Sequence, residues 1–178
     1  MKDLKKYITD IPDFSEKGII FRDITSLLQD SEGFHSAIEA VSEKLDGVDF
    51  DAVVGLDARG FLIGAPIAYV KNKGFIPVRK KGKLPRETVS AEYALEYGTA
   101  EVEIHRDSLK KGDKVVVIDD LIATGGTLEA AVKLVEQLGG KVVKILCLIE
   151  LTDLHGREKL KGYDVESIIS YTGKQGSN

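Results

Sequence analysis

The stretch Val115-Val116-Val117-Ile118-Asp119-Asp120-Leu121-Ile122-Ala123-Thr124-Gly125-Gly126-Thr127 decides how this chain is read. Four consecutive β-branched residues with no polar break describe a strand covered on both faces, the habit of a parallel sheet. The bend that follows holds two glycines, which let the backbone turn sharply and approach a ligand with no Cβ in the way. Beyond it, 127–138 reads as a helix closed by Gly139-Gly140. Amides of the bend and of the first helical turn face outward in a partial positive field that suits a phosphate, and the hydroxyls of Thr124 and Thr127 add donors. Asp119 and Asp120 would repel that phosphate on contact. They are better suited to accept hydrogen bonds from sugar hydroxyls or to help hold a hydrated Mg2+. A phosphate cradle beside a diol or metal acceptor is the outline of a ribose 5-phosphate.

On either side of this junction strand and helix patterns alternate. A helix opens at Ser31 as N-cap, carries Phe34, Ile38, Val41 and Leu45 on one face and stops at Gly47. The strand Ala52-Val53-Val54-Gly55-Leu56 runs into a polar turn, Asp57-Ala58-Arg59-Gly60, and a helix reaching about Asn72. Phe75-Ile76-Pro77-Val78 is a short strand before a highly charged loop, where Arg79, Lys80, Lys81, Lys83 and Arg86 put five basic side chains in eight positions. Alternation at Val102 and Ile104 predicts an exposed strand or hairpin arm, and 142–149 is a further apolar strand. The pattern predicts an α/β fold with a central, mostly parallel sheet flanked by helices. Ligands bind beyond the carboxyl ends of such strands. The turn 57–60 is therefore a second candidate anion site, its amides and the Arg59 guanidinium suited to a pyrophosphate.

At 178 residues the chain is expected to form one domain over 1–178. Hydrophobic residues at 43% and charged residues at 30% argue against disorder. With 25 basic and 29 acidic residues the net charge is −4, so a nucleic-acid partner is not expected, and the local basic run suits a small polyanion better. No apolar run approaches the roughly 20 residues of a membrane span, and the first residues lack the apolar core of a secretory signal. A single cysteine, Cys147, lies in an apolar strand and reads as inert core in a reducing compartment, so a cytoplasmic location is expected. His35, His105 and His155 form no ligand-spaced cluster with it, which argues against zinc.

An acidic strand end followed by a helix cap needs no ligand at all. An apolar strand closing on Asp-Asp also occurs in Walker B elements, but the chain has neither G-x-x-x-x-G-K-[ST] nor G-x-G-x-x-G. A phospho-acceptor signalling domain has paired aspartates but leaves the Thr-Gly-Gly-Thr bend unexplained.

The 115–127 segment resembles the phosphoribosyl pyrophosphate signature of the type I phosphoribosyltransferases, in the Asp-Asp-x-x-Ala-Thr-Gly-Gly-Thr form of their adenine-using members. Four more segments resemble the same family in order: Gly18-Ile19-Ile20-Phe21-Arg22-Asp23-Ile24-Thr25, Gly55-Leu56-Asp57-Ala58-Arg59-Gly60-Phe61, Arg79-Lys80-Lys81-Gly82-Lys83-Leu84-Pro85 and Tyr93-Ala94-Leu95-Glu96-Tyr97-Gly98. The resemblance implies the type I phosphoribosyltransferase fold, with a small N-terminal hood (about 1–30) that binds the base and a mobile active-site loop or hairpin (about 79–105). It implies that Phe21 stacks on adenine, that the Ile20 backbone reads the purine edge and that Arg22 lies nearby. Asp57, Ala58 and Arg59 are implied to form the pyrophosphate loop, with a cis peptide, and Arg59 to face the pyrophosphate or the base. Arg79, Lys80 and Lys83 are implied to reach the pyrophosphate, some across a homodimer interface. Glu96 is the candidate for contacting the base or ribose centre and for taking the purine proton. Asp119 and Asp120 are implied to hold the ribose, and Ala123, Thr124, Gly125, Gly126 and Thr127 to hold the 5-phosphate. The implied reaction converts adenine and 5-phosphoribosyl 1-diphosphate to AMP and diphosphate, with Mg2+ held mainly by the substrate. Two alternatives stay open: hypoxanthine, guanine or xanthine as the base, or a regulator of the same fold that binds without turnover.

Overall fold

A computed structural model describes residues 3–14, 16–95 and 97–172. Strands β1 (Thr9–Pro12) and β2 (Ile20–Asp23) form a two-stranded antiparallel hood, followed by the short helix α1 (Thr25–Gln29) and by α2 (Ser31–Glu43). Then come β3 (Ala52–Leu56), α3 (Arg59–Val70), β4 (Gly74–Lys80), β5 (Thr88–Ala94), β6 (Thr99–His105), β7 (Lys114–Ile122), α4 (Gly126–Gln137), β8 (Lys141–Leu151) and β9 (Val165–Tyr171). The last seven strands make one sheet in the order β5-β6-β4-β3-β7-β8-β9. Pairings from β4 through β9 are parallel, and the β5-β6 hairpin joins antiparallel to β4.

The unbroken apolar run of β7 is explained by cores on both faces. Val115 and Val117 pack with α4 residues such as Leu128, Ala131 and Val135. Val116 and Ile118 point the other way, into a cluster with Val41 of α2 and Ile63 and Ile67 of α3. From β3 the chain moves to β4 on one side and later to β7 on the other, so the switch point lies between β3 and β7. Both strands end at the same edge of the sheet, each followed by a helix, and that crevice is where such a fold places its ligand.

Four details differ from the sequence expectation. The N-cap of α2 is Asp30, whose carboxylate accepts the Gly33 N–H at 2.8 Å, and Ser31 is the first helical residue. β7 runs on through Asp119-Asp120-Leu121-Ile122, because β8 continues beside it and pairs Asp119 with Cys147 and Ile122 with Glu150. The aspartates therefore stand on a strand, held by a ladder. Arg79 and Lys80 likewise close β4, paired with Glu103 and Val102 of β6, so only the turn after them is a loop. Within the apolar stretch of β8, Lys144 follows a bulge opposite Val115/Val116 and reaches Glu166 at 2.6 Å and Asp164 at 3.4 Å. Among the described residues no helix is long and apolar enough to cross a membrane.

Candidate active site

Two helices begin at the crevice, and neither has a side-chain cap. α4 starts after Gly125, left-handed at φ +86°, and α3 starts after Ala58. Helix N-termini leave amides that normally find a side-chain oxygen. Here both sets open into one cleft of about 370 Å3, lined by Asp57, Ala58 and Arg59 from one junction and by Asp119 to Leu121 and Ala123 to Leu128 from the other. Lys80 and Tyr93 complete its wall. The Asp57–Ala58 peptide is cis, as the resemblance implied.

The bend at Ala123–Gly125 is shaped by a segment far along the chain. Gly156, in a short 3-10 turn (Gly156–Leu160), lies so close that a Cβ on it would sit 2.5 Å from the Ala123 carbonyl oxygen and 2.8 Å from Ile122 Cγ2. A Cβ on Gly125 would collide with the Gly156 carbonyl in return. This turn is tied to the sheet by Arg157, whose guanidinium donates to both oxygens of Glu150 at 2.8 Å and to the Val165 carbonyl at 2.7 Å. The guanidinium first, and then Ser167, hold the Glu150 carboxyl below its usual range against the opposing effect of burial.

The acids occupy a structured position. Asp119 Oδ1 accepts the Asp120 N–H at 2.8 Å, and Asp120 Oδ2 forms an ion pair with Arg59 Nε at 2.9 Å. One oxygen of each carboxylate is thus engaged. Crowding away from water, and secondarily the adjacent Asp120 charge, push the Asp119 carboxyl well above its ordinary range. A group whose folded pKa is raised adds stability only while protonated, below its unfolded pKa near 4, and loses it as pH rises through the folded value. Asp119→Asn, which keeps the Oδ1 acceptor, is therefore expected to melt about 2–4 °C higher than wild type at pH 8, the shift that ~1 kcal/mol brings in a domain this size. The gap should close toward pH 4; thermal melts across that range check it, and a lower Tm at pH 8 would contradict it.

Arg59 also lies under the hood, its Cζ 5.4 Å from the Phe21 ring centroid, and Phe21 rests on Phe14 at 5.1 Å. Phe21 thus touches a cleft-lining residue without lining the cleft itself. In the hood, Asp13 N–H donates to the Ile19 carbonyl at 3.0 Å, which sets the ladder's phase. Ile11/Phe21 and Thr9/Asp23 are then the hydrogen-bonded pairs, and the backbone groups of Ile20 and Arg22 point away from β1, along the other edge of β2. The Arg22 side chain goes elsewhere: it is buried against Asp10 at 2.6 Å and lies 4.0 Å over the Tyr171 ring.

Of the basic run, Lys80 lines the cleft. Arg79 reaches it indirectly, through a 3.0 Å bond to Asp57 Oδ2. Lys83 stands exposed on the next turn, where Glu103 accepts the Gly82 N–H and the Thr88 hydroxyl, each at 2.7 Å. Glu96 falls outside the described residues. Cys147 lies fully buried behind Asp119, and burial pushes its thiol well above the ordinary range, which suits an inert core position. Sequence reasoning singled out neither Tyr93 as a cleft wall nor Gly156 as the support of the bend. Tyr93 was visible only as part of a loop motif, and Gly156 carries no local signal because its partner is about thirty residues away.

These features define a phosphoribosyl-binding α/β enzyme fold, and residues 25–175 match the family described as "Phosphoribosyl transferase domain"; the chain belongs to that family. Within it, the chain is 64% identical over 174 residues to the adenine phosphoribosyltransferase of Lachnoclostridium phytofermentans, covering 98% of this chain and all of the relative. The crystal structure of adenine phosphoribosyltransferase from Thermoanaerobacter pseudethanolicus superposes with a TM-score of 0.92 at 54% identity, over 94% of this chain and 98% of that one. The Saccharomyces cerevisiae adenine phosphoribosyltransferase, solved with an imino-altritol bisphosphate and adenine, gives 0.88 at 38% identity, over 93% and 96%.

Proposed function

We propose that this protein is a purine-salvage transferase that joins adenine to 5-phosphoribosyl 1-diphosphate, giving AMP and diphosphate. The observation that carries this function is the cleft at the switch point, where two uncapped helix N-termini open beside an aspartate pair. Near full-length similarity to adenine phosphoribosyltransferases supports it.

In the reaction the adenine N9 forms a bond to the anomeric carbon, the carbon–oxygen bond to diphosphate breaks, and the N9 proton leaves. The bend at Ala123–Thr127 grips the 5-phosphate, which does not react and so lends remote binding energy. The second oxygens of Asp119 and Asp120 accept the ribose hydroxyls, and their charge favours the oxocarbenium-like centre that develops as the leaving group departs. Arg59 and the Ala58 amide face the diphosphate, with Lys80 beside them and Arg79 steadying Asp57, whose own N–H is held by the Val78 carbonyl at 2.9 Å. Phe21 stacks on the base while the edge of β2 away from β1, at Ile20 and Arg22, turns its backbone toward the purine edge; Arg22 serves there by its backbone, its guanidinium being held by Asp10. Lys83 and Glu96 are assigned on the resemblance alone, Lys83 to the diphosphate and Glu96 to the N9 proton.

The described residues gather no cluster of three or more metal-ligating side chains. A pair of carboxylates, each with one oxygen engaged, fits a cation that keeps its waters and takes most ligands from substrate oxygens, as Mg2+ does. Asp119 and Asp120 would hold it through water, and when bound it supplies Lewis-acid neutralisation of the leaving diphosphate. A homodimer is supported by α3, which is apolar on nearly every side and leaves Tyr69 88% and Val70 56% exposed, a surface that suits a second copy. The cytoplasm suits its one buried thiol.

Turnover with 5-phosphoribosyl 1-diphosphate, Mg2+ and a panel of purines tests the function. Adenine is expected to give AMP and diphosphate at least tenfold faster than hypoxanthine, guanine or xanthine, the discrimination that unpaired polar edges impose. Faster use of a 6-oxopurine would move the specificity, and binding without diphosphate release would make the protein a regulator.

A further inference from the structure

The bend at Ala123–Thr127 presents amides and hydroxyls but no cation of its own, although a phosphate monoester carries close to two negative charges at neutral pH. Its neighbours on the strand side, Asp119 and Asp120, are acidic residues that bring no positive charge, and Arg59 is already paired with Asp120 at 2.9 Å. A cation stands on the other side. The Lys159 Nζ lies 3.7 Å from the point where a Cβ of Gly126 would be, and Tyr93, a cleft wall, is 3.9 Å from the same point. Gly126 is the first residue of α4, so this ammonium sits beside the uncapped amides of that helix.

The position is built. Gly156 abuts the bend itself, Arg157 is clamped to Glu150 and Val165, and Leu160 is buried in the core against α4. Lys159 is carried between those last two anchors, in a turn of five residues. Among the described residues it forms no ion pair with a carboxylate, whereas Lys144, Lys114 and Lys71 all do.

We propose that Lys159, outside every motif that marks the site in the sequence, is a binding residue for the 5-phosphate of the phosphoribosyl group. It supplies the positive charge that the backbone cradle lacks, from the face opposite the aspartates. This assignment rests on the transferase function proposed above and adds one residue to it. The side chain is exposed and leaves the packed core untouched, so its removal is separable from folding.

Calorimetric titration of full-length wild type, Lys159→Met and Lys159→Arg tests it, with AMP, ribose 5-phosphate, adenosine and diphosphate as separate ligands. Lys159→Met is expected to weaken AMP and ribose 5-phosphate about tenfold or more, the scale of one charge-assisted hydrogen bond, and to leave adenosine and diphosphate within twofold. Lys159→Arg should recover most of the loss, and AMP affinity should fall less steeply with added KCl in Lys159→Met than in wild type. Unchanged AMP affinity in Lys159→Met overturns the assignment, as does an equal loss for adenosine or diphosphate. If wild type itself binds neither AMP nor ribose 5-phosphate, the transferase function fails, which is a different result.

Discussion

Replacing Asp119 and Asp120 together by asparagine is expected to lower turnover by about 10²-fold or more while the protein stays folded, the scale on which a preorganised electrostatic group acts. Asparagine has nearly the same shape, so Asn at 119 still accepts the backbone N–H of residue 120, the bond seen at 2.8 Å. β7 keeps its ladder to β8, which runs through both positions irrespective of side chain. What disappears is the negative field at the end of that strand, together with the ionic partner of Arg59. The ground-state grip on the 5-phosphate, made by the bend downstream, is retained. The loss should therefore fall on kcat, with AMP affinity changed far less. Steady-state rates paired with a thermal melt read this out: near wild-type kcat in a folded double variant removes the aspartates from the chemistry.

Gly125→Ala is expected to be nearly as severe by a different route. Gly125 sits at φ +86°, where a side chain adds about 1–2 kcal/mol, and its new methyl would run into the Gly156 carbonyl oxygen, an overpacking worth roughly 1–3 kcal/mol more. The bend can relieve that only by moving off the Gly156 turn, which opens the cradle. The variant should melt at least 5 °C lower, and kcat/KM for the phosphoribosyl donor should fall by about 10²-fold, following the loss of several oriented amides. The adjacent glycine is the control. A Cβ on Gly126 meets only Lys159 Nζ at 3.7 Å and Tyr93 Cβ at 3.9 Å, ordinary contacts, so Gly126→Ala should leave Tm within about 1 °C. Equal Tm for the two variants would show that the close approach to Gly156 does not shape the bend.

The contrast between these neighbours shows how far the letters reach. Local chemistry was legible: Ala52–Leu56 is the predicted strand to the residue, and Val115 to Ile118 are buried on both faces as their branching required. The turn 57–60 and the bend 123–127 were picked out separately, and the fold brings them to one cleft. Where polar residues continue a strand, periodicity misleads. Asp119-Asp120 reads as the start of a loop, yet β8 extends beside it, and the aspartates are held more rigidly than a loop would hold them. The motif marks Arg22 as part of the base-binding segment, and it gives no sign that Tyr171, almost 150 residues away, and Asp10 across the hood hold its guanidinium. Gly156 and Lys159 carried no sign of their position, because each acquires its role only when the turn after β8 folds back onto the bend after β7.

A crystal structure with AMP tests the central claim most directly. The phosphate should lie in the bend at Ala123–Thr127, its oxygens about 2.7–3.2 Å from the backbone nitrogens there, with the ribose hydroxyls on the carboxylates of Asp119 and Asp120. A phosphate seated anywhere else, or a ribose that leaves both aspartates untouched, would contradict it.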